Sequence, residues 1–483
     1  MALDQAVCHR ANRARDSRFD GVFFTAVKTT RIYCRPVCPA RTPKPENCQF
    51  FPTAAEAEHA GFRPCLRCRP ELAPHSHRSP ADRAAARVLA QIRSGDLADG
   101  RLTHLATELG MSERHLRRQF VSEFGLPPIA FAQTQRLLFA KQLLQETALP
   151  TTDIAFSAGF QSLRRFHALF QTRYGLAPGE IRRSGKLLKD ADTITLRLAY
   201  RPPLAWDEML TFLAPRTIEG VEHIANGTYM RTISIGGKQG WVSVRRQRDE
   251  HALLATVPSH LSSSLRPILS RLRGLFDLDA DPAAISAHFR TDSLLGGLVD
   301  RTPGLRVPGA WDGFELAVRA ILGQQVIVRG ASTLAGRLAA RFGTTVETPY
   351  PTLSRVGPEA ASLAAASVED IAGIGLPMSR AASIQSLAKA VCAGHLTLSA
   401  HADAHAEMAA LKAISGIGDW TAQYVALRAL RWPDAFPAGD LGLRKAVGDG
   451  GVLLQRSEAW RPWRAYAAMY LWHSLGERKT NVL

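Results

Sequence analysis

Four cysteines constrain this chain more tightly than any other feature: Cys34-x3-Cys38 and Cys65-x2-Cys68, with 26 residues between the pairs. Four soft thiolates in two short pairs suit one tetrahedral zinc ion, and closing such a site forces the intervening residues into a small compact module. On spacing alone a closed four-cysteine site only holds a fold together. Only three further cysteines occur, Cys8, Cys48 and Cys392. The opening MALDQAVCHRANRARD lacks the apolar core of a secretory signal, and no run of about 18 apolar residues appears. The expectation is therefore a cytoplasmic protein without membrane contact, whose cysteines serve metal binding or reactivity rather than disulfides.

At 483 residues the chain is long enough for three or four domains. Its formal charge is +17, and residues 1–190 carry 29 Lys/Arg against 17 Asp/Glu, while the remainder carries 31 against 26. A basic front half favours a polyanionic partner, because each phosphate neutralised by Lys or Arg releases counterions. Nucleic acid comes first and a membrane surface second.

The segment Pro74–Pro80 is rich in turn formers and reads as a linker, with a second joint near Ser184–Asp192. Between them apolar residues recur at helical spacing, as in Ala84, Val88, Leu89 and Ile92. After Asp192 the period becomes two, in Thr193–Leu198, Tyr229–Ile235 and Trp241–Val244, with Gly236-Gly237 as a turn. Helical patterning returns from Ala310, through Phe314–Leu322, Ser332–Phe342, Ser379–Val391, Ala404–Ile414 and Trp420–Leu430.

The residues around the cysteines, Thr29-Thr30-Arg31-Ile32-Tyr33-Cys34-Arg35-Pro36-Val37-Cys38 and Gly61-Phe62-Arg63-Pro64-Cys65-Leu66-Arg67-Cys68-Arg69-Pro70, closely resemble the N-terminal domain of the Ada adaptive-response family. That resemblance covers about residues 4–72. It implies that Cys34 accepts a methyl group from a DNA methylphosphotriester while Cys34, Cys38, Cys65 and Cys68 hold the zinc. Cys8, in Val7-Cys8-His9-Arg10, echoes the acceptor motif of O6-alkylguanine enzymes, but without the surrounding domain it reads as an incidental thiol.

Leu102–Glu108, Gly110-Met111-Ser112 and Glu113–Phe124 give helix, glycine turn and second helix, and Thr152–Ala158, Gly159–Ser162 and Leu163–Tyr174 repeat the pattern. A long helix around Ile129–Leu144 joins the two. About residues 80–184 resemble the DNA-binding domain of AraC-type regulators. Arg114, Arg117, Arg118, Gln161, Arg164 and Arg165 are candidate DNA contacts, most of them to phosphate; for any one arginine a solvated helix face is the plain alternative.

Near the C-terminus, Leu411–Ala422 with Gly416-Ile417-Gly418 reads as a helix-hairpin-helix whose glycines let backbone amides approach a phosphate. With Tyr424, Ala426-Leu427-Arg428, Asp440, Trp460–Tyr466 and Trp472, the region from about 192 to 475 resembles the AlkA-type 3-methyladenine DNA glycosylases. The resemblance makes Asp440 the catalytic carboxylate, and Trp420, Tyr424 and Trp472 the walls of a pocket for an extruded base. The plain alternatives are a helix cap for Asp440 and core packing for the aromatics. Related enzymes that also cut the DNA backbone carry a lysine nucleophile where Trp420 stands, and their iron–sulfur cluster needs four late cysteines, whereas only Cys392 lies beyond Cys68. One departure is Gln325, at the place where the AlkA pattern has a leucine wedge after Gly-Gln; Gln325 is kept as a candidate DNA contact.

The expected fold is multidomain α+β, mostly α: a four-cysteine zinc module (1–77), a tandem helix-turn-helix (78–188), a small antiparallel sheet domain (189–300) and a helix-hairpin-helix glycosylase domain (301–483). The expected partners are double-stranded DNA, both alkylated and as a promoter operator, and RNA polymerase. Zinc and, by resemblance, a monovalent cation at the hairpin are the expected cofactors. A regulator with structural zinc and a non-catalytic glycosylase-like region is the alternative.

Overall fold

The computed structural model describes residues 3–75, 83–95, 101–185, 192–447 and 450–480. The domain junctions expected at 77/78 and 188/189 lie outside the described residues, as does most of each linker. The chain divides into two compact units, residues 1–202 with 247–270, and residues 203–246 with 271–483.

The first unit begins with a four-stranded sheet in which Phe24–Val27 pairs antiparallel with both Ile32–Cys34 and Cys48–Phe51, and Arg63–Pro64 adds in parallel to Ile32–Cys34. This parallel pairing sets Tyr33 opposite Pro64, so that the two cysteines following those positions, Cys34 at the end of its strand and Cys65 just after its own, come side by side. The all-helical part follows: Arg101–Glu108 and Glu113–Phe124, the long helix Pro128–Glu146, then Thr151–Ser157 and Leu163–Tyr174. Ser112 and Ser162 cap the second helix of each pair through their hydroxyls, and Gly125 and Gly175 end those helices at φ +71° and +65°. Leu105, Leu116, Phe120 and Phe131 are buried in the first pair, and Ile154, Phe166 and Phe170 in the second.

A buried ion network ties the zinc module to the long helix. The Lys141 ammonium lies 2.6 Å from Glu71, Glu71 accepts from Arg69 at 2.9 Å, and Arg69 and Arg197 both pair with Glu146, at 3.0 and 2.9 Å. Burial alone would raise the Glu71 carboxyl, but Lys141 and Arg69 outweigh it and hold the carboxyl below its usual range.

The second unit carries the meander Glu222–Ala225, Thr228–Ile235 and Lys238–Arg246. Gly236 and Gly237, at φ +56° and +75°, form its second turn, the type I′ geometry that two adjacent glycines suit. Around one apolar core pack the helices Gly313–Leu322, Val328–Phe342, Met378–Cys392, Ala404–Lys412 and Asp419–Arg428, each within a few residues of its periodic segment, together with Arg464–Thr480. Among the described residues no helix is long and apolar enough to cross a membrane.

Candidate active site and zinc centre

The sulfurs of Cys34, Cys38, Cys65 and Cys68 lie within 4.8 Å of one another. Four bonds of about 2.3 Å around one zinc give sulfur–sulfur edges of about 3.8 Å, so the donor set and its spacing fit that ion. Packed this closely, the thiols cannot all ionise by themselves; hydrogen bonding to Cys38 and Cys65, with burial, pushes the Cys34 thiol up. The backbone N–H of Arg35 donates to Cys68 Sγ at 3.3 Å, and the Arg35 guanidinium is held by Asp20 and the Cys68 carbonyl. The four positions differ in access: Cys38, Cys65 and Cys68 are buried, whereas Cys34 is only half-buried. The other thiols do not compete. Cys8 is 3% exposed within an apolar cluster, where burial and then Asp4 push its thiol up to about 11; Cys48 is also buried, and Cys392 is exposed.

Next to Cys34, the Tyr33 hydroxyl donates to Glu58 at 2.9 Å, and the Tyr174 hydroxyl meets the same oxygen at 3.3 Å. Burial pushes the Glu58 carboxyl up to about 7 despite these bonds and the nearby Arg173. Spacing alone carries no signal for this contact, because it joins residues 116 positions apart.

Arg114, Arg117 and Arg118 are exposed on Glu113–Phe124; Arg164 and Arg165 are exposed on Leu163–Tyr174, with Gln161 exposed just before that helix. Arg117 pairs with Glu113 one turn earlier, and Arg118 meets His115 at 2.9 Å.

In the second unit a cavity of about 570 Å³ is lined by Trp420, Tyr424, Asp440 and Trp472. Its size falls within the range usual for small-molecule sites. The indole N–H of Trp420 donates to Asp440 Oδ2 at 3.0 Å, and that of Trp472 donates to Oδ1 at 2.9 Å. The Leu443 N–H also donates to Oδ1 at 3.0 Å, so Asp440 caps the helix Leu441–Val447 while its carboxylate reaches the cavity. Capping and cavity lining are thus both present.

The Trp420 and Tyr424 rings stack with centroids 5.4 Å apart and planes 10° from parallel. Admitting a base between them would need about 7 Å, two stacking intervals, so an incoming ring must lie against their outer faces. Tyr424 and Trp472 meet at 61° with centroids 6.4 Å apart, which leaves an angled wall. Trp460 instead lies in the core, its indole donating to Asp292, and Trp463 packs on that core's edge.

Sequence reasoning missed the cavity's basic lining. Arg216, Arg319 and Arg428 line the cavity with Phe212, and no motif marks the first two. Arg428 is pinned by the Pro308 and Gly309 carbonyls, both at 2.8 Å, and donates to the Tyr424 hydroxyl at 3.1 Å. Burial would raise the Tyr424 phenol, but Arg428, Arg216 and Arg319 outweigh it and bring it down to about 8.

The hairpin lies between Ala404–Lys412 and Asp419–Arg428. Gly416 has φ +87° and leaves no room for a Cβ beside Ser383, so the fold itself demands glycine. At Gly418 a Cβ would meet nothing within 4 Å, so no intramolecular contact demands glycine there. Gln324 donates to the Gly416 carbonyl at 2.9 Å and the Thr421 hydroxyl at 3.1 Å, which fixes the loop after Gly313–Leu322 to the hairpin. Gln325 follows, exposed, at φ +56°.

Four family profiles match in chain order: the metal binding domain of Ada over residues 7–71, a helix-turn-helix domain over 105–184, the AlkA N-terminal domain over 195–312, and the HhH-GPD superfamily of base excision DNA repair proteins over 318–457. The DNA-3-methyladenine glycosylase 2 of Escherichia coli K12 is 34% identical over 290 residues, which cover 58% of this chain and 97% of that protein. A solved 3-methyladenine DNA glycosylase from Archaeoglobus fulgidus shares the fold, with a TM-score of 0.51 and 23% identity over 57% of this chain and 97% of that one. A Mycobacterium tuberculosis protein described as "probable bifunctional transcriptional activator/DNA repair enzyme AlkA" is 38% identical over 480 residues, 97% of this chain and 96% of its own length. With these domains in this order and likeness from end to end, the chain belongs to the family of bifunctional transcriptional activator/DNA repair enzymes.

Proposed function

We infer that the second unit hydrolyses the N-glycosidic bond of alkylated purines such as 3-methyladenine, without a lyase step, and that Cys34 takes a methyl group from DNA methylphosphotriesters. The observation that carries the first part is Asp440, held by two indole N–H groups at the edge of an aromatic cavity. An alkylated purine is a cation, attracted by the faces of Trp420, Tyr424 and Trp472, and it leaves as a neutral base with the electron pair of the C–N bond. The Asp440 carboxylate stabilises positive charge developing on the sugar and orients the water that adds to its anomeric carbon. No lysine stands at position 420 to form a Schiff base.

At the zinc centre the ion, when bound, keeps the four sulfurs deprotonated at neutral pH. Cys34, the least buried of them, attacks the methyl carbon; the new S–C bond replaces the C–O bond, and the phosphate oxygen leaves with the electron pair. The net charge of the cluster rises from −2 to −1, weakening repulsion of the DNA backbone and tightening operator binding through Arg114, Arg117, Arg118, Gln161, Arg164 and Arg165. Gly416 and Gly418 take a backbone phosphate in this reading. A monovalent cation at the hairpin, contact with RNA polymerase and nucleoid association rest on the resemblance alone.

The decisive test is free-base release from methylated duplex DNA under multiple turnover, comparing wild type with Asp440→Asn. The amide offers one acceptor oxygen where the carboxylate offers two, so the variant loses an indole bond as well as its charge. Release should fall by about 10²–10³. A folded wild type that binds methylated DNA yet releases no base would instead support a regulator with a non-catalytic C-terminal region. A stoichiometric mass gain on Cys34, absent in Cys34→Ser, tests the methyl transfer.

A further inference from the structure

Ile327 and Leu441 are the two most exposed large apolar side chains among the described residues, at 77% and 72%. Both adjoin residues that line the cavity: Leu441 follows Asp440, and Ile327 lies between Val326 and Val328. An isoleucine left this exposed forgoes most of the stabilisation that burial of its side chain would bring.

The loop bearing Ile327 is held firmly. Gln324 is bonded to the hairpin at Gly416 and Thr421, and Gln325 turns the chain at φ +56°. Ile327 itself is extended, at φ −69° and ψ 154°, and its carbonyl accepts the Ala331 N–H to start the helix Val328–Phe342. Beside it, Gly330 has no side chain to cover it. The backbone is fixed at both ends, and the apolar tip projects without an intramolecular cover.

Extruding a base from a stack with a rise of about 3.4 Å per base leaves a slot with apolar faces. Apolar wedges such as isoleucine fill slots of this kind and keep the flipped base from returning. Gln325 is a poor wedge: its polar amide gains nothing between base faces, and its oxygen lies 3.5 Å from an Arg380 donor. We propose that Ile327 is the positioning residue that enters the vacated stack, two residues after Gln325. The inference rests on base extrusion into the Trp420–Asp440 cavity.

The test uses the full-length, zinc-loaded chain and a duplex carrying one alkylated purine, with the same strand alone as the second substrate. A single strand has no stack to hold open, so the wedge matters only for the duplex. Ile327→Ala should cut duplex kcat/KM by at least about tenfold and leave single-strand release within about twofold, and Ile327→Leu should restore the duplex rate. With 2-aminopurine placed beside an abasic analogue, wild type should change the probe's emission on binding, and Ile327→Ala should lose that change. Equal loss on both substrates, no loss at all, or a loss on Leu441→Ala or Gln325→Ala with Ile327→Ala unaffected would overturn the proposal. Absence of base release by wild type from either substrate would instead refute the glycosylase reading beneath it.

Discussion

Glu58 offers a quantitative test of how the first unit is held together. Its carboxyl is buried against the Tyr33 and Tyr174 hydroxyls, and burial raises it from 4.5 to about 7. A group raised in the folded state favours folding fully below its unfolded value, here about 4.5, and that contribution disappears as pH rises through about 7. The span corresponds to on the order of 3 kcal/mol, at about 1.4 kcal/mol per pH unit. Glu58→Gln keeps an acceptor oxygen for the two tyrosines and removes the ionisation. At pH 4.5 the two proteins should unfold alike; above pH 8 the variant should be the more stable by that amount. Urea unfolding followed by far-ultraviolet circular dichroism measures this. All eight tryptophans lie in the second unit, so their emission should show the same pH dependence in both proteins. Parallel stability–pH curves for wild type and variant, or a variant weaker at every pH, would refute the reasoning.

Titrating the tyrosines by ultraviolet difference absorbance should show one of the eight ionising near pH 8, well ahead of the ordinary value of 10, and that early step should vanish in Tyr424→Phe. Removing Lys141 as Lys141→Met would leave Glu71 with less compensation in the buried network, at a cost of about 3–5 kcal/mol to the first unit by chemical denaturation. Stripping the zinc with a chelator should unfold the module around Cys34 and abolish methyl transfer, while tryptophan emission and base release persist; loss of base release would contradict the assignment of each activity to its own unit. Arg164→Ala and Arg165→Ala should each lower the salt dependence of operator binding by about one counterion if the side chain contacts phosphate, and an unchanged slope identifies a solvated face.

Local order is written plainly in this chain. Ser112 and Ser162 before their helices, Gly125 and Gly175 after them, the period-two runs around Gly236-Gly237 and the paired cysteines each act over a few residues, so spacing suffices to reveal them. The same holds for the aromatic and acidic positions 420, 424, 440 and 472, which resemblance aligns and the cavity brings together.

What spacing could not reveal depends on groups far apart in the chain. Arg216, Arg319 and Arg428 converge on Tyr424, Glu58 meets Tyr174, Lys141 reaches Glu71, and Gln324 holds the loop that leaves Ile327 bare. Charge and burial act through space: a guanidinium far away in sequence shifts a phenol as strongly as a neighbour does once the fold sets them together. The residue types and their local periodicity determined which elements form and which chemistry is available. The tertiary structure alone decided which thiol is reachable, which carboxylate faces a cavity and which apolar side chain is left uncovered, because access and electrostatic environment belong to the packed assembly and not to any segment of it.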